Sequence, residues 1–140
     1  MMKFITRLKI APEHISMEVL HQMNKGNPEV FREFLAFYKQ VNKEQKSNKH
    51  LVPYFMAAHP GTTKKDMEEL KRLCNEEEIY INLTQVFTPT PGTVSTAMYY
   101  TEENPLTRKK VYVPRSFREK KDQKNILLND KYEDFSDESG

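Results

Sequence analysis

The chain has 140 residues, 37% hydrophobic and 30% charged, which is enough for one small domain with a modest core. Its single cysteine excludes an internal disulfide and any metal site built from several cysteines, so we expect a reducing, cytoplasmic location. We also expect no membrane partner, because no apolar run is long enough to cross a bilayer and the first residues turn polar too early for a secretory signal.

The first predicted strand covers residues 4–10 and ends at the proline-bearing loop 11–14. Ser16 is a candidate N-cap for a short helix that stops at Gly26. A longer amphipathic helix follows from Pro28, because its apolar residues recur at helical spacing. That helix fades into the polar stretch 43–49, which we expect to be a surface loop.

A second strand is predicted over residues 51–58, and its lack of polar alternation predicts burial on both faces. It ends at His59-Pro60-Gly61, and a helix follows over 63–76. Thr63 with Asp66 three residues later predicts a capping box at the start of this helix.

The third predicted strand, 79–87, is apolar and stops at the uncharged loop 88–93, which contains two prolines and Gly92. Such a loop either holds a ligand through backbone contacts or is an ordinary structural turn. Beyond it we predict three further elements: a helix over 94–101, a short edge strand over 111–113 and a helix over 116–128.

Three repeats of strand, proline-bearing loop and helix predict parallel βα units, with their loops gathered at one edge of the sheet. Three such strands leave one sheet face under-covered. We therefore expect the chain to be part of a larger barrel or sheet, or to complete itself by association.

The formal net charge of +2 hides a separation of charge along the chain. Segment 107–124 carries eight bases and two acids, whereas 129–140 carries five acids and one base. A basic segment of this kind either binds a polyanion such as RNA, or an acidic partner, or forms a solvated helix face. The acidic tail is predicted to be disordered.

The three junctions and their surroundings resemble the YgiQ-like group of the radical S-adenosylmethionine superfamily. The matching stretches are residues 8–14, 51–55, 59–61, 85–91, 98–101, 105–107, 111–114 and 118–120. A looser similarity extends to radical methylthiotransferases, whose later barrel strands end in comparable Pro-Gly loops. Arg108 departs from the pattern, because a glycine is more usual there.

The resemblance implies an α/β fold made of the later βα units of a partial TIM-like barrel. Residues 1–101 would be the barrel part, 102–128 the start of a basic C-terminal extension, and 129–140 the acidic tail. In this family a Cys-x3-Cys-x2-Cys loop holds a [4Fe-4S] cluster that cleaves S-adenosylmethionine to a 5′-deoxyadenosyl radical. The chain lacks that triplet, and Cys74 lies on a predicted helix, so we expect no cluster in this chain.

Candidate cofactor-binding residues lie at or near the three strand ends, where ligands of parallel barrels bind. They are Lys9, Glu13 and His14 at the first end, His59 and Gly61 at the second, and Gln85, Thr90, Pro91 and Thr93 at the third. The alternative is that they are ordinary surface charges, loop residues and polar core residues. No metal site is predicted, because the histidine and cysteine spacings match no short metal motif. Catalytic residues are not assigned.

Three hypotheses about function follow from the sequence. The chain is a portion of a radical S-adenosylmethionine enzyme that contributes part of the cofactor and substrate mouth, with the missing N-terminal barrel half as its partner. Alternatively, it is a non-catalytic binding module that uses residues 108–124 on nucleic acid or an acidic partner. The third hypothesis is a truncated product without independent activity. We expect the chain alone to be inactive, and its residues do not specify whether the substrate is a small molecule or RNA.

Overall fold

The computed structural model describes residues 7–46, 50–79, 81 and 84–128, and within them the chain is α/β. Strand and helix alternate at the start, as the pattern of apolar runs and proline-bearing loops predicts. In chain order the described elements are β1 (Arg7–Glu13), α1 (Met17–Gln22), α2 (Pro28–Glu44), β2 (His50–Ala57), α3 (Lys64–Glu76), β3 (Thr84–Val86), α4 (Val94–Thr101) and α5 (Phe117–Leu128).

The three strands form one parallel sheet in the order β1-β2-β3. Leu8 pairs with Leu51 and Ile10 with Pro53, and the register then shifts through an irregularity before Glu13 pairs with Phe55. Phe55 also pairs with Thr84 of β3. Since all three strands run the same way, their carboxyl ends lie at one edge of the sheet, which we call the carboxyl edge.

One face of the sheet carries the core. Phe55 and Ala57 of β2 are buried against Phe31 and Leu35 of α2 and against Met67, together with the other core residues. The remaining buried members of this cluster are Ile15, Leu70, Leu73, Cys74 and Leu127. Burying such side chains removes about 2 kcal/mol of unfavourable hydration for each large one, so this face is the main source of stability.

The opposite face of the sheet is only partly covered. Side chains alternate along a strand, so Val52, Tyr54 and Met56 project away from the core, and all three are half-buried. Their partners across the sheet are Lys9 and Gln85, both exposed. The predicted burial of both faces of β2 is therefore only half right, and we call this surface the open face.

Helix capping follows the predicted chemistry at α3 but not at α1. Thr63 and Asp66 form the capping box, in which the Thr63 backbone N–H donates to the Asp66 carboxylate and the Asp66 N–H donates to the Thr63 hydroxyl. Ser16 occupies the N-cap of α1 without a side-chain capping hydrogen bond. The predicted stop at Gly26 is wrong, because α1 ends at Gln22 and its C-cap residue is Met23.

Three strand predictions need correction. Strand β1 continues past the predicted loop start and includes Glu13, and among the described residues of the predicted third strand only Thr84–Val86 form β3. No strand forms at 111–113 in the described chain. The Val111 N–H donates to the Glu102 carbonyl, and an isolated bridge joins Glu103 to Lys110 just before this stretch. The predicted residues 4–6, 80, 82 and 83 and the acidic tail 129–140 lie outside the described residues.

The parallel βα arrangement confirms the coarse fold class, and the sheet has three strands in the described chain. The wider barrel stays a prediction. Among the described helices, none combines the length and the apolar character needed to cross a bilayer.

Candidate functional site at the carboxyl edge

Strands β1 and β2 end in the same way, with a left-handed residue followed by a histidine. Glu13 has φ +66° and precedes His14, and Ala58 has φ +60° and precedes His59. A non-glycine residue in this region costs about 1–2 kcal/mol of backbone strain. Strain repeated at two neighbouring strand ends marks this edge as a candidate site.

His14 is buried, and its two ring nitrogens have different surroundings. Its Nδ1 accepts hydrogen bonds from the backbone N–H groups of Ile15 (2.9 Å) and Ser16 (3.0 Å). The proton of the neutral ring therefore lies on Nε2. That N–H is buried and has no hydrogen-bond partner among the described residues, so it lacks the acceptor that a buried donor normally has.

His59 is also buried, and both of its ring nitrogens are occupied. Its Nδ1 lies 2.9 Å from the Pro60 carbonyl oxygen, which can only accept, so the proton lies on Nδ1. Its Nε2 lies 2.9 Å from the Ser95 hydroxyl, which donates to the neutral ring. The ring packs edge-on against Phe87, with centroids 5.0 Å apart.

Both imidazoles are kept neutral by burial. Desolvation lowers the pKa of His14 to about 4, against a smaller opposing effect of Asp66, and His59 lowers it further. Desolvation also lowers the pKa of His59, while the Pro60 carbonyl and the Glu13 carboxylate raise it. The two histidines and Glu13 are therefore close enough to interact electrostatically, as their predicted placement at adjacent strand ends requires.

The loop after β2 is mostly buried and is hydrogen-bonded to a distant part of the chain. Gly61 has φ +91°, and its N–H donates to the Tyr112 carbonyl over 2.6 Å. An ideal Cβ at Gly61 would lie 2.9 Å from Cγ of Gln22 in α1, so the position needs glycine for space as well as for conformation. Gly61 is thus a structural neighbour of His59.

The loop after β3 is built differently. Thr90, Pro91 and Thr93 are exposed, and the loop is tied to its own helix. The Thr96 hydroxyl donates to the Thr90 carbonyl, and the Thr96 N–H donates to the Thr93 hydroxyl. These residues lie at the carboxyl edge as predicted, and they present polar groups to solvent.

Lys9 and Gln85 lie apart from the strand-end loops. Lys9 lies four residues before the end of β1 and pairs with Val52, and Gln85 pairs with Met56 in the middle of β3. Both belong to the open face, because their partners Val52 and Met56 project to that face of β2. The two residues lie on the same side of the sheet, with β2 between them.

The sequence did not predict a cluster around Tyr99 that joins the basic segment to this edge. The Tyr99 ring contacts Phe87 and lies 5.0 Å from both the Arg115 guanidinium carbon and the Lys120 ammonium. Arg115 also pairs with Glu102 at 2.9 Å. Basic and aromatic residues are interleaved within 107–124, but nothing in that pattern indicated that Tyr99 is the partner of Arg115 and Lys120.

Arg108, where the family resemblance leads us to expect glycine, has φ +59°. This left-handed conformation explains why glycine suits the position. Its side chain pairs with Glu103 at 3.2 Å.

The described residues do not fit an iron–sulfur cluster. Cys74 is buried on α3, and desolvation raises the pKa of its thiol to about 12, so it is not a thiolate at neutral pH. No group of three or more His, Cys, Asp or Glu side chains in the described ranges is arranged to hold a metal ion.

Comparison with known sequences gives one family match, over the second part of the chain. Residues 82–137 match the family described as a domain of unknown function, DUF3362. This region begins just before β3 and includes α4 and α5.

Curated relatives match over most of the chain. It is 45% identical to a UPF0313 protein of Methanocaldococcus jannaschii over 122 residues, which are 87% of this chain and 20% of the relative. It is 42% identical to a UPF0313 protein of Methanocella arvoryzae over 86% of this chain and 20% of that protein. A UPF0313 protein of Clostridium botulinum is 45% identical over 86% of this chain and 19% of its own length. The chain thus spans about a fifth of the length of these relatives.

Proposed function

We propose that this chain is a portion of a radical S-adenosylmethionine iron–sulfur enzyme, and that its carboxyl edge and open face form part of the cofactor and substrate mouth. Three parallel βα units would then belong to a wider partial barrel. The cluster ligands and the rest of the barrel would come from another part of a longer protein of the UPF0313 kind.

One observation carries the proposal: two neutral buried imidazoles at adjacent strand ends, one of which has a donor N–H without a partner. The ends of parallel strands are where barrel enzymes bind ligands. Leaving a buried donor unpaired costs about 1–3 kcal/mol, which a bound ligand with an acceptor atom would recover. The family resemblance and the length of the relatives support the same assignment.

The donor groups of the chain suit S-adenosylmethionine. On the open face, the exposed Lys9 ammonium matches a carboxylate, and the Gln85 amide can both donate and accept. At the edge, His14 Nε2–H matches a hydroxyl or ring-nitrogen acceptor of a nucleoside. Glu13 would hold the positive part of the ligand, although its carboxylate also pairs with Lys25 at 3.4 Å.

This chain would not supply the ligands of the iron–sulfur cluster. When bound, such a cluster supplies the electron for reductive cleavage of S-adenosylmethionine. The residues described here bind and orient, and His14 and His59 stay neutral, so that they donate and accept hydrogen bonds without adding charge to the mouth.

The proposal is tested by amide NMR of the full chain titrated with S-adenosylmethionine, with methionine and adenosine as separate controls. We expect shifts at Glu13, His14, His59 and 90–93. Replacing His14 by Asn keeps an acceptor for the backbone and removes the Nε2 donor, so His14→Asn should weaken binding about tenfold. The matched control is His21→Asn, because His21 is exposed on α1 and should leave binding unchanged.

A second arm uses the longer Methanocaldococcus jannaschii relative, reconstituted with iron and sulfide under anaerobic conditions. We expect cluster absorbance and release of 5′-deoxyadenosine from S-adenosylmethionine. A relative that forms neither would remove the family chemistry from the proposal. A chain whose shifts scatter over its surface, or that is indifferent to His14→Asn, would remove the edge assignment.

The runner-up function is a binding module that uses residues 108–124 on nucleic acid or an acidic partner. Lys109, Lys110 and Arg118 are exposed, as is Phe117, which supplies an aromatic surface for stacking. Arg108 and Arg115 are paired with acids, which reduces the charge this segment offers. A single-stranded RNA affinity that falls steeply with salt would favour this function.

A further inference from the structure

The loop that carries His59 is held by the C-terminal part of the chain at three backbone positions. The Gln123 Oε1 accepts the Ala58 N–H over 2.8 Å, and the Gln123 Nε2 donates to the Thr62 carbonyl over 2.8 Å. Between them, the Gly61 N–H donates to the Tyr112 carbonyl. The grip therefore begins one residue before His59 and ends three residues after it.

Gln123 is suited to this task by chemistry and by burial. Only 1% of the residue is exposed, and both ends of its amide are used. A carboxylate would accept from Ala58 but would not donate to Thr62, and an aliphatic side chain would do neither. Gln123 and Ala58 are 65 positions apart in the sequence, so only the tertiary structure brings them into contact.

The residue that Gln123 holds is under strain. Ala58 has φ +60°, a conformation that an isolated alanine avoids by about 1–2 kcal/mol. A buried hydrogen bond to its N–H offsets that cost only while the loop keeps this shape. Releasing the bond lets Ala58 return to ordinary backbone geometry, which turns the peptide that leads into His59.

Two side-chain contacts of His59 come from the same part of the chain. Ser95 binds its Nε2, and Phe87 packs on its ring. With Tyr112 and Gln123, these residues all lie within 82–137, the region that matches the domain of unknown function, whereas His59 lies outside it. Of the titratable groups at the β1 end, Glu13 raises the pKa of His59, and His59 in turn lowers the pKa of His14.

We infer that Gln123 is the positioning residue of His59, and that the region matching the domain of unknown function completes the carboxyl-edge site by holding the loop 58–62. The inference deepens the proposed function and rests on it where ligand binding is concerned. The positioning itself is independent of the ligand.

The test replaces Gln123 by Leu in the full chain and follows the His59 ring by NMR as pH is varied. In the wild type, the pKa of His59 is below the usual histidine range. In Gln123→Leu we expect that pKa to rise toward the usual range, and the Ala58 amide to exchange at least about tenfold faster, because its hydrogen bond is lost. Asp122→Ala, exposed on the same helix, is the matched control and should change neither quantity.

Two further variants separate positioning from general destabilisation. Glycine tolerates the left-handed conformation without strain, so Ala58→Gly added to Gln123→Leu should return the His59 titration toward that of the wild type. Gln123→Glu keeps the shape and the Ala58 acceptor and loses the Thr62 donor when charged. In its charged form, Gln123→Glu should therefore leave the Ala58 amide protected from exchange and still move the His59 ring signals. It replaces Gln123→Leu as the test if that variant does not fold.

The outcomes distinguish this inference from the proposed function. A folded Gln123→Leu variant with wild-type His59 titration overturns the positioning role, and so does a Gln123→Glu variant with wild-type His59 ring signals at a pH where its carboxylate is charged. Altered His59 titration in a chain that never binds S-adenosylmethionine supports the positioning role and sinks the cofactor proposal. Wild-type chain that binds S-adenosylmethionine, with a Gln123→Leu variant that binds it equally well despite a moved His59, overturns the link between Gln123 and the ligand.

Discussion

Two loops of this molecule share a sequence and differ in surroundings. The stretches 59–63 and 90–93 both contain Pro-Gly-Thr, and each leads into a helix capped by a threonine. Their glycines adopt nearly the same conformation, with φ +91° at Gly61 and +85° at Gly92. The first loop is mostly buried beneath the C-terminal segment, whereas the second is exposed along its length.

The comparison separates what a short sequence specifies from what packing adds. Turn shape and helix cap depend on neighbours a few residues away, so both loops have them. Burial depends on Gln123 and Tyr112, which reach only the first loop. The buried loop carries a histidine beside the site, and the exposed loop carries no titratable group.

The largest expected effect is a loss of stability in acid caused by His14, the buried histidine that interacts electrostatically with His59 of the buried loop. The folded chain protonates His14 only near pH 4, whereas the unfolded chain protonates it near 6.5. Its contribution to stability is therefore complete above pH 6.5 and is lost as pH falls toward 4. Urea unfolding should show about 3 kcal/mol of this loss in the wild type that is absent from His14→Asn.

His21→Asn, at an exposed position of α1, is the control for that series. During the same acid titration, amide signals of 58–62 should change before those of 88–93. A pH profile that is unchanged by His14→Asn would contradict the assignment of the neutral ring to the folded state.

The next effect compares the two glycines directly. Gly61→Ala and Gly92→Ala should each lose about 1–2 kcal/mol to a left-handed alanine. Gly61→Ala should lose a further 1–3 kcal/mol or so, because its Cβ would lie 2.9 Å from Cγ of Gln22, whereas Gly92 has nothing within 4 Å. Chemical denaturation of both variants measures the difference, and equal losses would show that the packing around Gly61 relaxes freely.

The smallest effect should be the same in both loops. Thr63 and Thr93 each accept the backbone N–H of the residue three positions later, namely Asp66 and Thr96. Thr63→Ala and Thr93→Ala should each cost about 1 kcal/mol, because helix capping is local. Thermal unfolding of both variants checks this, with Thr107→Ala as an exposed, non-capping control. A much larger loss at Thr63 would show that burial of the first loop depends on its cap.

Much of the local structure could be predicted from residue patterns. The capping box at Thr63 and the helix that carries Cys74 follow from spacing alone. The placement of His14 and His59 at adjacent strand ends follows from the parallel βα pattern. The end of β1 was predicted wrongly, because a register shift in a strand leaves no mark in its composition.

The remaining features could not be predicted because they depend on contacts between distant segments. The basic stretch 107–124 had the composition of a solvated face, yet Arg115 and Lys120 pack on Tyr99. A glutamine in a polar helix carries no signal of burial, although Gln123 is one of the most enclosed polar residues described.

The sequence by itself determined the order of strands and helices, the two Pro-Gly-Thr turns and the two threonine caps, since turns and caps depend on hydrogen bonds between residues close in sequence. The tertiary structure decided which of two similar loops is buried, which residue binds His59 Nε2 and which face of the sheet stays open. The physical reason is that burial and desolvation are set by everything that surrounds a group. For His59 those surroundings come from residues up to 64 positions away, brought to it by the docking of α5.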